Sequence, residues 1–310
     1  MLILPEQHQP EQSPPSEWSA WDRDRPVNYP IFEERDHYLC TVHGFDAGGF
    51  EAVVREVDVQ AMVDARMRPR GLRKPVEQRD GRDMVRAVAR ARKTIRHAVK
   101  MIGANHLLTM TTRENENTPE GLACQWKKFV RSYRVLSGSE FPYVAVPERH
   151  PKNPKHWHLH VAIAGWLKLK IARQIWWHCC GGRGEGNVDV QRIKVGVDRF
   201  TGEERGPLVK SEKIARYISK YMSKDLIFAH RPDKKRYWRS EFDLPDARRY
   251  WLKSRPGGAD GLSVALREVL ERFGLTGAGL SCFFFPDGSG VWLSYNPHAS
   301  AGQSAQPPPF

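Results

Sequence analysis

The chain has 310 residues, 40% hydrophobic and 27% charged, and its 49 Lys and Arg against 36 Asp and Glu give a net charge of +13. That length holds one large domain or two small ones, with enough apolar residues for a real core, which excludes wholesale disorder. The positive surplus points to a polyanionic partner, nucleic acid first.

No run of eighteen apolar residues occurs, so no membrane span or membrane partner is expected. The opening Met-Leu-Ile-Leu-Pro lacks the basic and apolar segments of a secretory leader. The five cysteines, Cys40, Cys124, Cys179, Cys180 and Cys282, form no Cys-x-x-Cys, which argues against a disulfide framework or a zinc site. A reducing bacterial cytoplasm is the expected location. There is no phosphate-binding Gly-x-x-x-x-Gly-Lys-[Ser/Thr] loop, hence no recognisable ATPase.

Along the chain, residues 1–28 are rich in Pro, Gln, Ser and Glu and read as a mobile arm. Residues 29–65 mix apolar and turn residues without an assignable pattern. From 66 to 100, thirteen cations face only Glu77, Asp80 and Asp83. Within that stretch Asp83–Ile102 has a helical apolar period through Met84, Val88, Ala91, Ile95 and Val99. Its cations, Arg92, Lys93 and Arg96 among them, are expected to contact DNA phosphates.

Strand patterns then occur at Asn105–Thr112, Phe141–Val146, His156–Ala164 and Asn187–Ile193. Helical patterns fall between them at Glu120–Arg134 and Lys168–Cys179, the latter stopped by Gly181-Gly182. The order strand, helix, strand, strand, helix, strand is the ferredoxin-like unit. It predicts an α+β fold: an antiparallel sheet with helices on one face and the other face open. A further helix is expected at Ser211–Ile227, an irregular basic stretch at 232–258, a helix at Leu262–Phe273, and a hairpin from Cys282 turning on Asp287-Gly288. The expected divisions are an N-terminal segment 1–65, a basic segment and helix 66–102, a central domain 103–230 and a C-terminal extension 231–310.

Two clusters carry chemistry. Side chains alternate along a strand, so His156, His158 and His160 share one face while Trp157, Leu159, Val161 and Ile163 share the other. Ala162 and Ala164 extend the histidine face with small residues and leave space beside it. Imidazoles two residues apart on a strand both reach a divalent ion. Glu148, at the end of the preceding strand, is the expected oxygen ligand, although Pro147 leaves its direction open. In the second cluster, Tyr217 and Tyr221 lie one helical turn apart, as do Lys220 and Lys224. A phenol is a poor nucleophile at its free pKa of about 10, and neighbouring cations make attack on a phosphate feasible.

These residues resemble the HUH endonucleases, and within them the rolling-circle replication initiators of small bacteriophages and plasmids. Leu107–Asn115 resembles the first motif of that family, Trp157–Val161 its His-hydrophobic-His motif, and Tyr217–Asp225 its tyrosine motif; the likeness covers about 80–230. The resemblance implies sequence-specific nicking of one strand at a replication origin. His158, His160 and Glu148 would hold Mg²⁺ or Mn²⁺ against the scissile phosphate. A tyrosine would become linked to the 5′-phosphate and leave a free 3′-OH. Tyr221, in a Tyr-x-x-Lys-Asp setting, is the first choice of nucleophile, with Tyr217 the second. Lys220 or Lys224 would stabilise developing charge, while Arg113 and His156 would contact DNA. The implied substrate is single-stranded or extruded origin DNA, with a host helicase and polymerase as partners. Rival readings are an HUH-type transposase or mobilisation relaxase with the same chemistry, and a non-catalytic nucleic-acid-binding module of RRM-like shape.

Overall fold

The structure, a computed structural model, describes residues 37–46, 49–58, 61–62, 64, 67, 81–114, 117–150, 152–192, 207–228, 237–253, 261–275 and 279–296. The expected arm and tail lie outside these residues. The described residues form an α+β fold of two antiparallel five-stranded sheets and five helices.

The central sheet contains β3 (His106–Thr112), β4 (Tyr143–Arg149), β5 (Trp157–Ile163) and β6 (Gly186–Arg192), with the two-residue β7 (Trp238–Arg239) added at one edge. Its order is β6-β3-β5-β4-β7, so the first four strands have the ferredoxin-like arrangement. Helix α2 (Pro119–Ser137) starts on Thr118, whose side chain accepts the Gly121 N–H, and stops at Gly138 with φ 68°. Its Leu122, Trp126, Phe129, Val130 and Tyr133 recur at helical spacing and are buried. They pack with α3 (Leu169–Cys179) on one face of the sheet, against Leu108, Met110, Leu159, Val161 and Ile163. Truncating one of these aromatic side chains to Ala would cost about 3–5 kcal/mol.

The other face is not open along its whole width. Helices α1 (Gly81–Met101) and α4 (Pro207–Phe228) cover its Leu107, Val144, Val146 and Ala162 positions with Ile95, Val99, Ile214 and Ile218. The small Ala162, expected to leave space, lets the helix layer settle close to the sheet. The cause was legible but unused: β4 is apolar on both faces through Val144, Ala145 and Val146, as a doubly covered strand is. The β3–β6 side remains polar, with Asn187, Asp189 and Gln191 exposed.

The second sheet has the order β8-β1-β2-β10-β9. It combines a hairpin of β1 (His37–Gly44) and β2 (Phe50–Val57) with β8 (Ala247–Lys253), β9 (Leu280–Phe284) and β10 (Gly290–Tyr295). Helix α5 (Gly261–Arg272) covers one face through Ala265 and Val269. The C-terminal hairpin is as expected. The boundaries at 65 and 231, in contrast, separate strands that pair: β1 and β2 lie between β8 and β10. The stretch 232–258 is also not wholly irregular, because it supplies β7 and β8. In β8 the cations Arg248 and Arg249 stand before Tyr250, Trp251 and Leu252, and that mixture hides a strand buried only on its Leu252 side.

Candidate metal centre and nucleic-acid interface

β5 places its apolar set, Trp157, Leu159, Val161 and Ile163, in the helix-covered core and turns His158 and His160 to the other side. In the β4–β5 register Glu148 stands opposite His158 and Val146 opposite His160. β4 runs straight through Pro147. Its outer neighbour β7 pairs only with Val144 and Ala145, so a residue without an N–H is tolerated on that edge. Glu148 Oε2 lies 2.8 Å from His158 Nε2 and 2.5 Å from His160 Nε2. The two imidazoles stand edge to face at 4.9 Å. Both are buried, and the Glu148 side chain is 12% exposed.

Burial alone would raise the Glu148 pKa. Hydrogen bonds from His158 and His160 outweigh it and hold the carboxyl at about 2. One ligand atom from each of the three residues falls within 4.8 Å of the other two. Nitrogen and oxygen ligands sit about 2.0–2.2 Å from a first-row divalent ion, which sets them roughly 3 Å apart. The group therefore fits a metal ion with little rearrangement. Thr109, next to His160 across the β3–β5 ladder, places its Oγ1 3.2 Å from His160 Nδ1 and so aims Nε2 at Glu148.

Asn117 fixes the start of the histidine strand. Its side chain donates to the Trp157 carbonyl at 2.8 Å and to Thr112 Oγ1 at 2.9 Å, and accepts the Trp157 N–H at 2.5 Å. The sequence reading missed Thr109 and Asn117. Pairing the Thr-rich first strand with the histidine strand would have exposed Thr109. Nothing local marks Asn117.

Helix α4 buries Ile214, Ala215 and Ile218, and this rotation carries Tyr217 to the rim of the site. Tyr217 is 39% exposed and meets His160 edge to face at 5.7 Å between ring centroids. Lys220 is exposed on the same helix. Tyr221 and Lys224 belong to α4, but their side chains lie outside the described residues. Thus one of the two tyrosines is seen beside the histidines, and it is not the one first chosen.

His156 stands apart from the three-residue group, with Nδ1 2.8 Å from the Glu114 carbonyl. Arg113 is exposed just past β3, its N–H bonded to the Glu185 carbonyl at 2.9 Å. The expected phosphate contacts on α1 need correction. Arg92 is buried with Nε 3.5 Å from the Ser219 carbonyl, and Arg96 is clamped by both oxygens of Glu51 at 2.9 Å. Lys93 stays exposed, its amine 3.0 Å from His43 Nε2. The charge of α1 is largely spent on joining that helix to α4 and to the second sheet. A helix with almost no acids of its own had its counter-ion elsewhere in the chain.

Residues 105–226 match the family model of the replication-associated protein ORF2 (gene 2 protein), a span of less than half of the 310 residues. This span takes in the ferredoxin-like unit, the Glu148, His158 and His160 group, and α4 through Tyr217. The match supports a replication-initiator-like, Rep-like protein with a role in DNA replication. No curated protein and no solved structure matches the chain. Among the described residues, no helix is long and apolar enough to cross a membrane.

Proposed function

We propose that the protein nicks and rejoins one DNA strand at a replication origin, as an HUH-type initiator of rolling-circle replication. The observation that carries this reading is the contact between a tyrosine on α4 and a buried two-histidine, one-glutamate group on the sheet. Glu148, His158 and His160 would hold Mg²⁺ or Mn²⁺, which when bound supplies Lewis-acid stabilisation to a phosphoryl oxygen. The residues of the chain do the rest.

Tyr217 Oη attacks the scissile phosphorus in line, forming the tyrosyl ester of the 5′-phosphate while the P–O3′ bond breaks. The phenolic proton is released, and the departing 3′ oxygen gains a proton to become a 3′-OH for a polymerase. Lys220, three residues along α4, stabilises phenolate or phosphoryl charge, with Lys224 one turn further. Tyr221 serves as a second nucleophile that cleaves the regenerated origin while Tyr217 holds the first end. The polar β3–β6 side of the sheet, with Arg113 at its end, offers a path for an unpaired strand. Strand opening would come from a host helicase or from supercoiling, in the bacterial cytoplasm.

The test is incubation with labelled single-stranded DNA from the protein's own replicon and Mn²⁺. A denaturant-resistant protein–DNA adduct is expected, and it should be absent in His158→Ala. DNA binding with no adduct under any divalent ion would favour the non-catalytic, RRM-like reading.

A further inference from the structure

On the opposite side of the sheet from the histidines lies a cavity of about 520 Å³ between α2 and the β4–β7 edge. That volume falls in the roughly 300–1,000 Å³ range of small-molecule sites. Its walls are Trp126 and Lys127 from α2, Tyr143 from β4, and Tyr237, Trp238 and Arg239 from the edge segment. The aromatic walls are fixed. Trp126 is buried and stands edge to face with Tyr143 at 5.0 Å. Ser240 pins the start of β4, its Oγ accepting the Tyr143 N–H at 2.9 Å and its N–H reaching the Tyr143 carbonyl at 3.1 Å. The Arg239 guanidinium lies over Phe242 at 4.7 Å. Trp238 and Tyr237 are partly exposed, and Lys127 is exposed at the mouth.

Four rigid aromatic rings around an open slot with cations at its rim suit a flat π-system that carries negative charge. An uncharged apolar ligand would have no use for the rim, and a bare phosphate none for the rings. We infer that this cavity binds one nucleobase together with its phosphate, separately from the metal centre. The inference goes beyond the nicking reading, because binding here needs neither the metal ligands nor a tyrosine nucleophile. Two sources share this chemistry: a base of the DNA strand held by the protein, or a free nucleotide. Tyr143 and Glu148 are five residues apart on β4, about 17 Å along an extended strand, so a base a few nucleotides from the scissile phosphate is within reach.

The experiment follows quenching of intrinsic tryptophan fluorescence in the full chain carrying Tyr217→Phe and Tyr221→Phe. The ligands are the four deoxynucleoside monophosphates, deoxyadenosine and ribose 5-phosphate. Nucleotides should quench and ribose 5-phosphate should not. Trp238→Ala should weaken binding at least about fivefold, the lower end expected for one base–aromatic stack. Lys127→Ala, at an exposed position that folding does not need, should remove the preference for dAMP over deoxyadenosine. A parallel arm places 2-aminopurine at successive positions of a single-stranded oligonucleotide. Quenching at one position, relieved by Trp238→Ala, assigns the site to a base of the strand. Binding of dAMP with no such position assigns it to a free nucleotide. The inference is overturned if neither arm shows binding, if ribose 5-phosphate competes as well as dAMP, or if Lys127→Ala keeps the full preference. An adduct lost with dAMP binding intact would overturn only the nicking reading.

Discussion

Two glutamates lie buried among basic side chains, and they are not alike. Glu51, on β2, is held by Arg96 through two 2.9 Å hydrogen bonds, by Lys100 at 2.8 Å and by His97 at 3.3 Å. Its fixed cations outnumber it. Burial would raise its pKa, and Lys100 and Arg96 drive it well below the ordinary value instead. Glu148 meets only two imidazoles, which need carry no charge and whose nitrogens converge with its oxygen. The first cluster is electrically complete and joins the second sheet to α1, reaching on to α4 through Lys100 and Glu212 at 3.6 Å. The second gathers lone pairs in one place, which is what a cation seeks. A buried carboxylate marks a metal site only when its neighbours can give up their protons.

Removing the charge should separate the two most sharply. Glu51→Ala leaves Arg96 and Lys100 buried without a counter-ion and should lower unfolding free energy by about 3–5 kcal/mol in urea titration. Glu148→Gln should cost far less, because neutral histidines need no counter-ion. Equal losses for the two variants would erase the distinction.

Metal linkage runs the other way. At a Mn²⁺ concentration a hundred times its Kd, wild type should gain about 2.7 kcal/mol of stability. Calorimetry should show this gain abolished in His158→Ala, His160→Ala and Glu148→Gln, yet kept in Glu51→Gln. Retention of the gain in the histidine variants would remove the metal from this site.

Acid offers a smaller contrast. Glu148 has a folded pKa below its ordinary 4.5, so its stabilisation is complete above 4.5 and is lost as pH falls toward about 2. The stability gap between wild type and Glu148→Gln should close over that window. His43 is lowered from 6.5 to about 4, first by burial and then by His97 and Lys93. Its neutral form is the one that fits, so its contribution is present above pH 6.5 and is lost as pH falls through 4. His43→Gln should flatten the stability profile between pH 6.5 and 4, and an unchanged slope would reassign it.

The parts legible in the sequence were those with a period. Alternation gave the histidine strand, helical spacing gave α1 to α4, and their order gave the ferredoxin-like unit. Glu148 was legible as a ligand because a hairpin returns it to the histidines; its orientation past Pro147 was not. What escaped depends on distant pairing. β1 and β2 find β8 and β10 from the far end of the chain, and no local pattern announces that. Arg92 and Arg96 read as solvent cations because their partners, the Ser219 carbonyl and Glu51, lie far off in sequence. Tyr217 and Tyr221 could not be ranked from spacing; the burial of Ile214 and Ile218 is what turns Tyr217 toward His160.

The most direct measurement is recovery of the DNA-linked peptide after Mn²⁺-dependent reaction with single-stranded origin DNA, with the modified residue located by mass spectrometry. The phosphodeoxynucleotide should sit on Tyr217 in wild type, move to Tyr221 or vanish in Tyr217→Phe, and be absent from the double Phe variant. An undiminished adduct in the double variant would contradict a tyrosine on α4 as the attacking group.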